Sequence, residues 1–192
     1  MQSKSIIIIG ASGGGPRAIH NIFTDLPPLA GSIIIIQQMP KYINASFCET
    51  LNNLSSMSVY LASEGMPLEE GCVYVAPSER HMKIQKNSSI HLFEGEKVNW
   101  ACPSLDILMQ SLLKETSLKV IGIILSGLGQ DGAEGIKYIK QIGGYTITQD
   151  EASSAIYGMP KMALQTGQVD WQLNPEQIRN RLIHLVGKRD PS

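Results

Sequence analysis

Unbroken isoleucine runs mark this chain, Ile6 to Ile9 and Ile33 to Ile36, followed by the β-branched stretches Val73 to Ala76, Val120 to Leu125 and Tyr145 to Thr148. A strand with one wetted face alternates apolar and polar residues. Runs without alternation bury both faces, so these five read as strands of a parallel sheet covered on each side. Between them lie longer amphipathic stretches: Pro16 to Asp25, Asn44 to Leu54, Ser104 to Thr116, Gly132 to Ile142 and Pro175 to Val186. Pro16 and Pro175 suit a first helical turn, where a missing N–H costs nothing, and Ser104 is placed to cap the helix that follows Pro103. Met82 to Gln85 and Ile90 to Phe93, on either side of Lys86-Asn87-Ser88-Ser89, predict a β-hairpin outside the βα alternation. The predicted fold class is α/β, a doubly wound three-layer α/β/α domain whose mainly parallel sheet carries a β-hairpin excursion. No repeat or linker interrupts the pattern, so residues 1–192 are expected to form a single domain.

Composition narrows the function classes. With 192 residues, 43% hydrophobic and 17% charged, the chain can bury a core and is too apolar for an extended disordered polymer. Sixteen Lys and Arg against seventeen Asp and Glu leave a net charge of −1, so no overall field draws the protein to nucleic acid or an anionic membrane. The apolar runs fall far short of the roughly 20 residues that cross a bilayer, and no export signal precedes Ile6. A cytoplasmic protein without membrane insertion is expected. Cys48, Cys72 and Cys102 form no Cys-x-x-Cys pair, and His20, His81, His91 and His184 lack ligand spacing, so no disulfide framework and no metal site is expected.

Two glycine-rich segments could carry chemistry. Gly10-Ala11-Ser12-Gly13-Gly14 follows the first predicted strand and precedes a helix, matching Gly-x-Ser-x-Gly. In a nucleophile elbow, small residues allow the sharp turn that presents a serine at the sheet edge near helix N–H groups. Ser12 is therefore a candidate nucleophile, against the plainer reading of a glycine turn with a capping serine. Gly13, Gly15 and Ala18 also fit a dinucleotide fingerprint, but the second strand ends in Gln37-Gln38-Met39-Pro40, without the acidic residue that would hold a ribose. The second segment, Ser126-Gly127-Leu128-Gly129-Gln130-Asp131-Gly132, also lies between a predicted strand and a helix. Asp131 reads either as the cap of that helix or as a site carboxylate sharing an edge with Ser12.

These segments occur in a longer ordered series: Gly10 to Gly14, Gln37-Gln38-Met39-Pro40, Ala76-Pro77-Ser78-Glu79-Arg80-His81-Met82, Pro103-Ser104-Leu105-Asp106, Ser126 to Gly132, and Gln149 to Ser153 with Tyr157-Gly158-Met159-Pro160. In this order they resemble the CheB-type chemotaxis methylesterases, over nearly the whole chain from Ile6 to about Val186. The resemblance implies a doubly wound α/β/α fold and hydrolysis of glutamate methyl esters on chemoreceptor cytoplasmic domains, releasing methanol. It implies a Ser-His-Asp triad without cofactor, and in some members deamidation of receptor glutamines. It also implies a receiver domain, on the same or another chain, as a partner; none is expected within these residues. Ser12 matches the family nucleophile and Asp131 its orienting aspartate. The family histidine stands second in Gln-His-Met-Pro, and that position is Gln38 here.

A serine hydroxyl needs a proton acceptor that titrates near neutrality, which imidazole is and an amide is not. The expectation is a triad-shaped site, Ser12, Gln38 and Asp131, in which the Gln38 amide accepts from Ser12 and donates to Asp131 without serving as base. The chain is then a methylesterase of reduced activity or, alternatively, a catalytically silent chemoreceptor-binding module. Gly13, Leu128 and Ala101-Cys102 also depart from the family's usual Thr, Met and His-Arg. His81 is the first substitute base to consider, a packed loop histidine being its simpler role. Cys102, near a helix start, is considered as a thiol of lowered pKa or a small packed residue.

Overall fold

The computed structural model describes residues 5–114 and 117–189. In chain order the elements are β1 (Ser5–Ala11), α1 (Gly15–Phe23), β2 (Ser32–Gln37), α2 (Asn44–Leu54), β3 (Ser58–Leu61), β4 (Cys72–Val75), β5 (His81–Ile84) and β6 (Ile90–Phe93). They continue with α3 (Leu105–Gln110), β7 (Lys119–Ile124), α4 (Ala133–Gln141), β8 (Tyr145–Gln149), α5 (Met159–Gln165), β9 (Trp171–Leu173) and α6 (Pro175–Val186). Seven strands form one sheet in the order β3-β4-β2-β1-β7-β8-β9, every pairing parallel, while β5 and β6 make a separate antiparallel hairpin.

The isoleucine runs explain the layering. Period-two geometry sends alternate residues of one strand to opposite faces. Ile6, Ile8, Ile34 and Ile36 join a core with the hairpin, α3 and α4, whereas Ile7, Ile9, Ile33 and Ile35 join a second core with α1, α2 and α6. Each buried isoleucine contributes about 1.5–3 kcal/mol over an exposed one, which is why no polar residue interrupts the runs. The fold is the expected α/β/α sandwich with its hairpin. From β1 the chain winds outward through β2 in one direction and β7 in the other, so the carboxyl ends of β1 and β7 flank a topological switch point, where such sheets bind ligands.

Three elements escaped the sequence pattern: β3, β9 and α5. Most of β3 is exposed at the sheet edge, and β9 has only three residues, so neither produces a long apolar run. The helix expected from Ser104 to Thr116 ends at Gln110. Ser111 Oγ turns back to the Leu108 carbonyl and accepts from Ile84 N–H of β5, so the hairpin takes over where the helix would have continued. Residues 115 and 116 of that expectation lie outside the described residues. No described helix is long and apolar enough to cross a membrane.

Candidate active site

Ser12 begins the turn between β1 and α1. Its N–H donates to the Ser126 carbonyl at 3.0 Å, just beyond β7, and its carbonyl accepts from Gln37 Nε2 at 2.9 Å, at the end of β2. The serine is thus held by both neighbours of the central strand, at the switch point. Gly14 adopts a left-handed φ of 79° and leaves no room for a side chain, since a Cβ would sit 2.6 Å from Ser126 Oγ. That hydroxyl pins the turn, donating to the Gly13 carbonyl at 2.7 Å and accepting from Ile156 N–H at 2.9 Å. The helix cap is Gly14, without a side-chain cap bond, so Ser12 is not the capping serine of the plainer reading. Ser12 Oγ is half-buried and has no hydrogen-bond partner among the described residues.

Gln38 follows β2, its N–H paired with the Ala11 carbonyl at 2.9 Å, one residue before Ser12. Its Nε2 donates to Asp131 Oδ2 across 3.4 Å. The structure therefore puts Gln38 and Asp131 in contact and Ser12 on the adjoining strand end. The expected bond from Ser12 to the Gln38 carbonyl is not formed.

Asp131 differs from the reading that makes it the cap of its own helix. The α4 cap is Gly132, with no side-chain cap bond. The buried Asp131 carboxylate instead closes the start of α3, accepting from Ser104 Oγ (2.8 Å), Leu105 N–H (2.8 Å) and Asp106 N–H (3.2 Å). Burial raises its pKa, opposed by these donors. Asp106 returns the arrangement, its Oδ1 accepting from Gly132 and Gly135 N–H at the start of α4. Ser104 caps α3 as its place after Pro103 suggested, its Oγ accepting from Ile107 N–H, but the roles of Asp106 and Ser126 as organisers and the bond from Ser104 to Asp131 are not legible in the sequence. The bonds of Ser104 to Asp131, of Asp106 to Gly132 and Gly135, and of Ser126 to Gly13 and Ile156 join residues more than 20 apart, which no local pattern encodes.

Neither His81 nor His91 replaces an imidazole at position 38. His81 is buried, with Nδ1 accepting from Ser104 N–H at 3.2 Å and Nε2 facing the Glu96 carbonyl at 2.8 Å, so both ring nitrogens are committed. His91 is paired with Glu64 on the hairpin. Burial raises the Cys102 thiol pKa, contrary to the idea of an activated thiolate. Among the described residues no cluster of His, Cys, Asp or Glu is arranged to hold a metal ion. Gly13 N–H, which follows the serine as an oxyanion donor does in a nucleophile elbow, has no acceptor among the described residues. A cleft of about 380 Å³ opens beside the turn against Gly14, Arg17, Asn21, Gln149 and Ser153.

Fold and site together define a doubly wound α/β domain with a serine turn at its switch point and a buried aspartate on the adjacent loop. The family model described as CheB methylesterase matches residues 7–182, and the chain belongs to that family. It is 37% identical over 189 residues to the protein-glutamate methylesterase/protein-glutamine glutaminase of Photorhabdus laumondii subsp. laumondii, covering 97% of this chain and 54% of that protein. The relative of the same name from Salmonella typhimurium is also 37% identical, with the same coverage. The chain thus spans about half the length of these curated relatives. The crystal structure of the Thermotoga maritima CheB methylesterase catalytic domain superposes with a TM-score of 0.87 at 31% identity, over 97% of this chain and 100% of that one.

Proposed function

We propose that this chain is a single catalytic-type domain that engages the methylated helices of chemoreceptors and hydrolyses their glutamyl methyl esters slowly, because Gln38 stands where the triad base belongs. In this reading Ser12 is the nucleophile, Gly13 N–H faces the developing oxyanion, and Asp131 orients the residue at position 38. Attack by Ser12 Oγ on the ester carbonyl expels methanol and leaves an acyl-enzyme, which water hydrolyses to the glutamate carboxylate. Both steps need a group to take the attacking proton and return it to the leaving oxygen. An amide holds the geometry and cannot carry the proton.

The observation that carries the proposal is the bond from Gln38 Nε2 to Asp131 Oδ2, an amide N–H where an imidazole N–H would donate. Methanol release from methylated receptor, by the wild-type chain and by Gln38→His, tests it. Little or no release from wild type and a gain in the variant are expected. Robust wild-type turnover that requires Ser12 would overturn the assignment of Gln38 as the missing base.

One observation favours a second reading, a silent receptor-binding module that competes with active enzyme. The Asp131 carboxylate is held by three donors at the start of α3, so its presence follows from folding and does not require catalysis. A Gln38→His variant that binds receptor and gains no turnover would favour this module.

A further inference from the structure

Val98-Asn99-Trp100-Ala101 is a two-residue hairpin turn, closed by Val98 N–H to the Ala101 carbonyl (3.0 Å) and Ala101 N–H to the Val98 carbonyl (2.9 Å). Both central residues are left-handed, Asn99 at φ 50° and Trp100 at φ 66°. Such a turn favours Asn-Gly, because glycine alone takes the second position freely. A tryptophan there is conformationally costly. It gains nothing from burial, since the residue is 93% exposed. Backbone strain combined with an exposed aromatic points away from folding as the reason for this side chain.

The turn is fixed to the candidate site. Asn99 Nδ2 donates to Asp106 Oδ2 at 2.9 Å, and Asn99 Oδ1 accepts from Gln130 Nε2 at 3.0 Å. Asp106 also holds the start of α4, and Gln130 precedes Asp131. The same loop displays Leu128, 75% exposed, two residues before Gln130. Two large apolar side chains therefore stand on hydrogen-bonded loops that lead directly to the Gln38–Asp131 pair.

We propose that Trp100, with Leu128 on the loop hydrogen-bonded to its turn, is the docking residue for the protein segment brought to Ser12, and that this segment is an amphipathic helix carrying an apolar side chain on the same face as its glutamyl ester. The inference rests on the receptor-helix reading above and assigns the surface that recognises the helix. Residues three or four apart, and multiples of a turn further along, share a helix face, so one amphipathic helix presents an ester and an apolar anchor on the same side. The two loops are already tied to buried carboxylates, so little ordering is needed on binding, and tryptophan is among the residues that dominate such interfaces.

The test measures binding of a chemoreceptor cytoplasmic fragment by calorimetry to wild type, Trp100→Gly and Trp100→Ala, with thermal melts of each. Trp100→Gly creates the favoured Asn-Gly turn while deleting the indole. It is expected to melt no lower than wild type and to bind about 30-fold more weakly, equivalent to about 2 kcal/mol. Trp100→Ala should bind as weakly, which ties the loss to the ring. In a Trp171→Phe background Trp100 is the one remaining tryptophan, and its emission should shift to the blue as fragment is added.

Binding by Trp100→Gly within twofold of wild type would overturn the inference and leave the receptor reading intact. Wild type that binds no fragment would remove the receptor reading and this inference together. Wild type that self-associates, with loss of self-association in Trp100→Gly and unchanged fragment binding, would assign the surface to a second copy of the chain and overturn the proposal.

Discussion

Asp106 and Asp131 cap each other's helices: the Asp131 carboxylate accepts the first N–H groups of α3, on which Asp106 lies, and Asp106 accepts N–H groups at the start of α4, just after Asp131. Each carboxylate meets the positive end of the other's helix, and the candidate site is built on this exchange. Gln38 joins it from the opposite side of the switch point.

Removing Asp131 should therefore cost stability independently of any effect on turnover. Asp131→Ala leaves Ser104 Oγ and the N–H groups of Leu105 and Asp106 without their buried acceptor, an expected loss of about 3–4 kcal/mol. Asp131→Asn keeps one acceptor oxygen and should lose about half as much. Urea denaturation of both variants measures the difference, and equal stability of wild type and Asp131→Ala would contradict the capping role.

Asp106 makes stability depend on pH. Burial raises its pKa from 3.8 to about 6, the nearby Asp131 charge adding to the effect and the N–H groups of Gly135 and Gly132 opposing it. The folded state binds this proton more tightly than the unfolded state, so the associated stability is complete below about pH 4 and is lost as pH rises through about 6. The contribution is on the order of 2–3 kcal/mol. Asp106→Asn should flatten the fall in stability between pH 4.5 and 6.5, measured by denaturation at intervals across that range.

The gain from Gln38→His should require both other members of the site. Loss of the base in a serine triad costs up to about 10⁶-fold in kcat, so even partial recovery is measurable against a low background. The recovered methanol release should rise with pH as an imidazole near pKa 6.5 loses its proton. Adding Ser12→Ala should return release to the wild-type level, and gain that survives Ser12→Ala would show hydrolysis unrelated to this site.

Two glycines on the elbow should respond differently to substitution. A Cβ at Gly10 would fall 2.0 Å from Leu105 Cδ1 and 2.7 Å from its Cγ, in the first turn of α3, so Gly10→Ala is expected to destabilise by about 2–3 kcal/mol. A Cβ at Gly13 would fall 2.6 Å from Ile156 Cδ1, the tip of an exposed side chain able to rotate away. Gly13→Thr, the residue usual in the family, should cost less than about 1 kcal/mol. Thermal melts of the two variants compare them directly.

A strand buried on both faces favours an unbroken apolar or β-branched run, so the cores of β1, β2, β4 and β7 and the β-branched β8 were written openly in the sequence, and with them the parallel sheet and its layers. Among the helices, α1 and α6, each with a proline in its first turn, and α2 were equally legible, α2 and α6 to the residue, whereas the short α5 was not, although Pro160 lies in its first turn. The motifs placed Ser12, Gln38 and Asp131 at strand ends, which in a parallel sheet is one edge. Tertiary structure alone decided what those side chains touch. Asp131 closes α3 because the β7–α4 loop packs on a helix about 25 residues earlier in the chain, and Trp100 stands exposed because Asn99 beside it is tied to Asp106 and Gln130. Periodicity records which face of an element is buried. It contains no term for a hydrogen bond between side chains brought together only when separate elements pack.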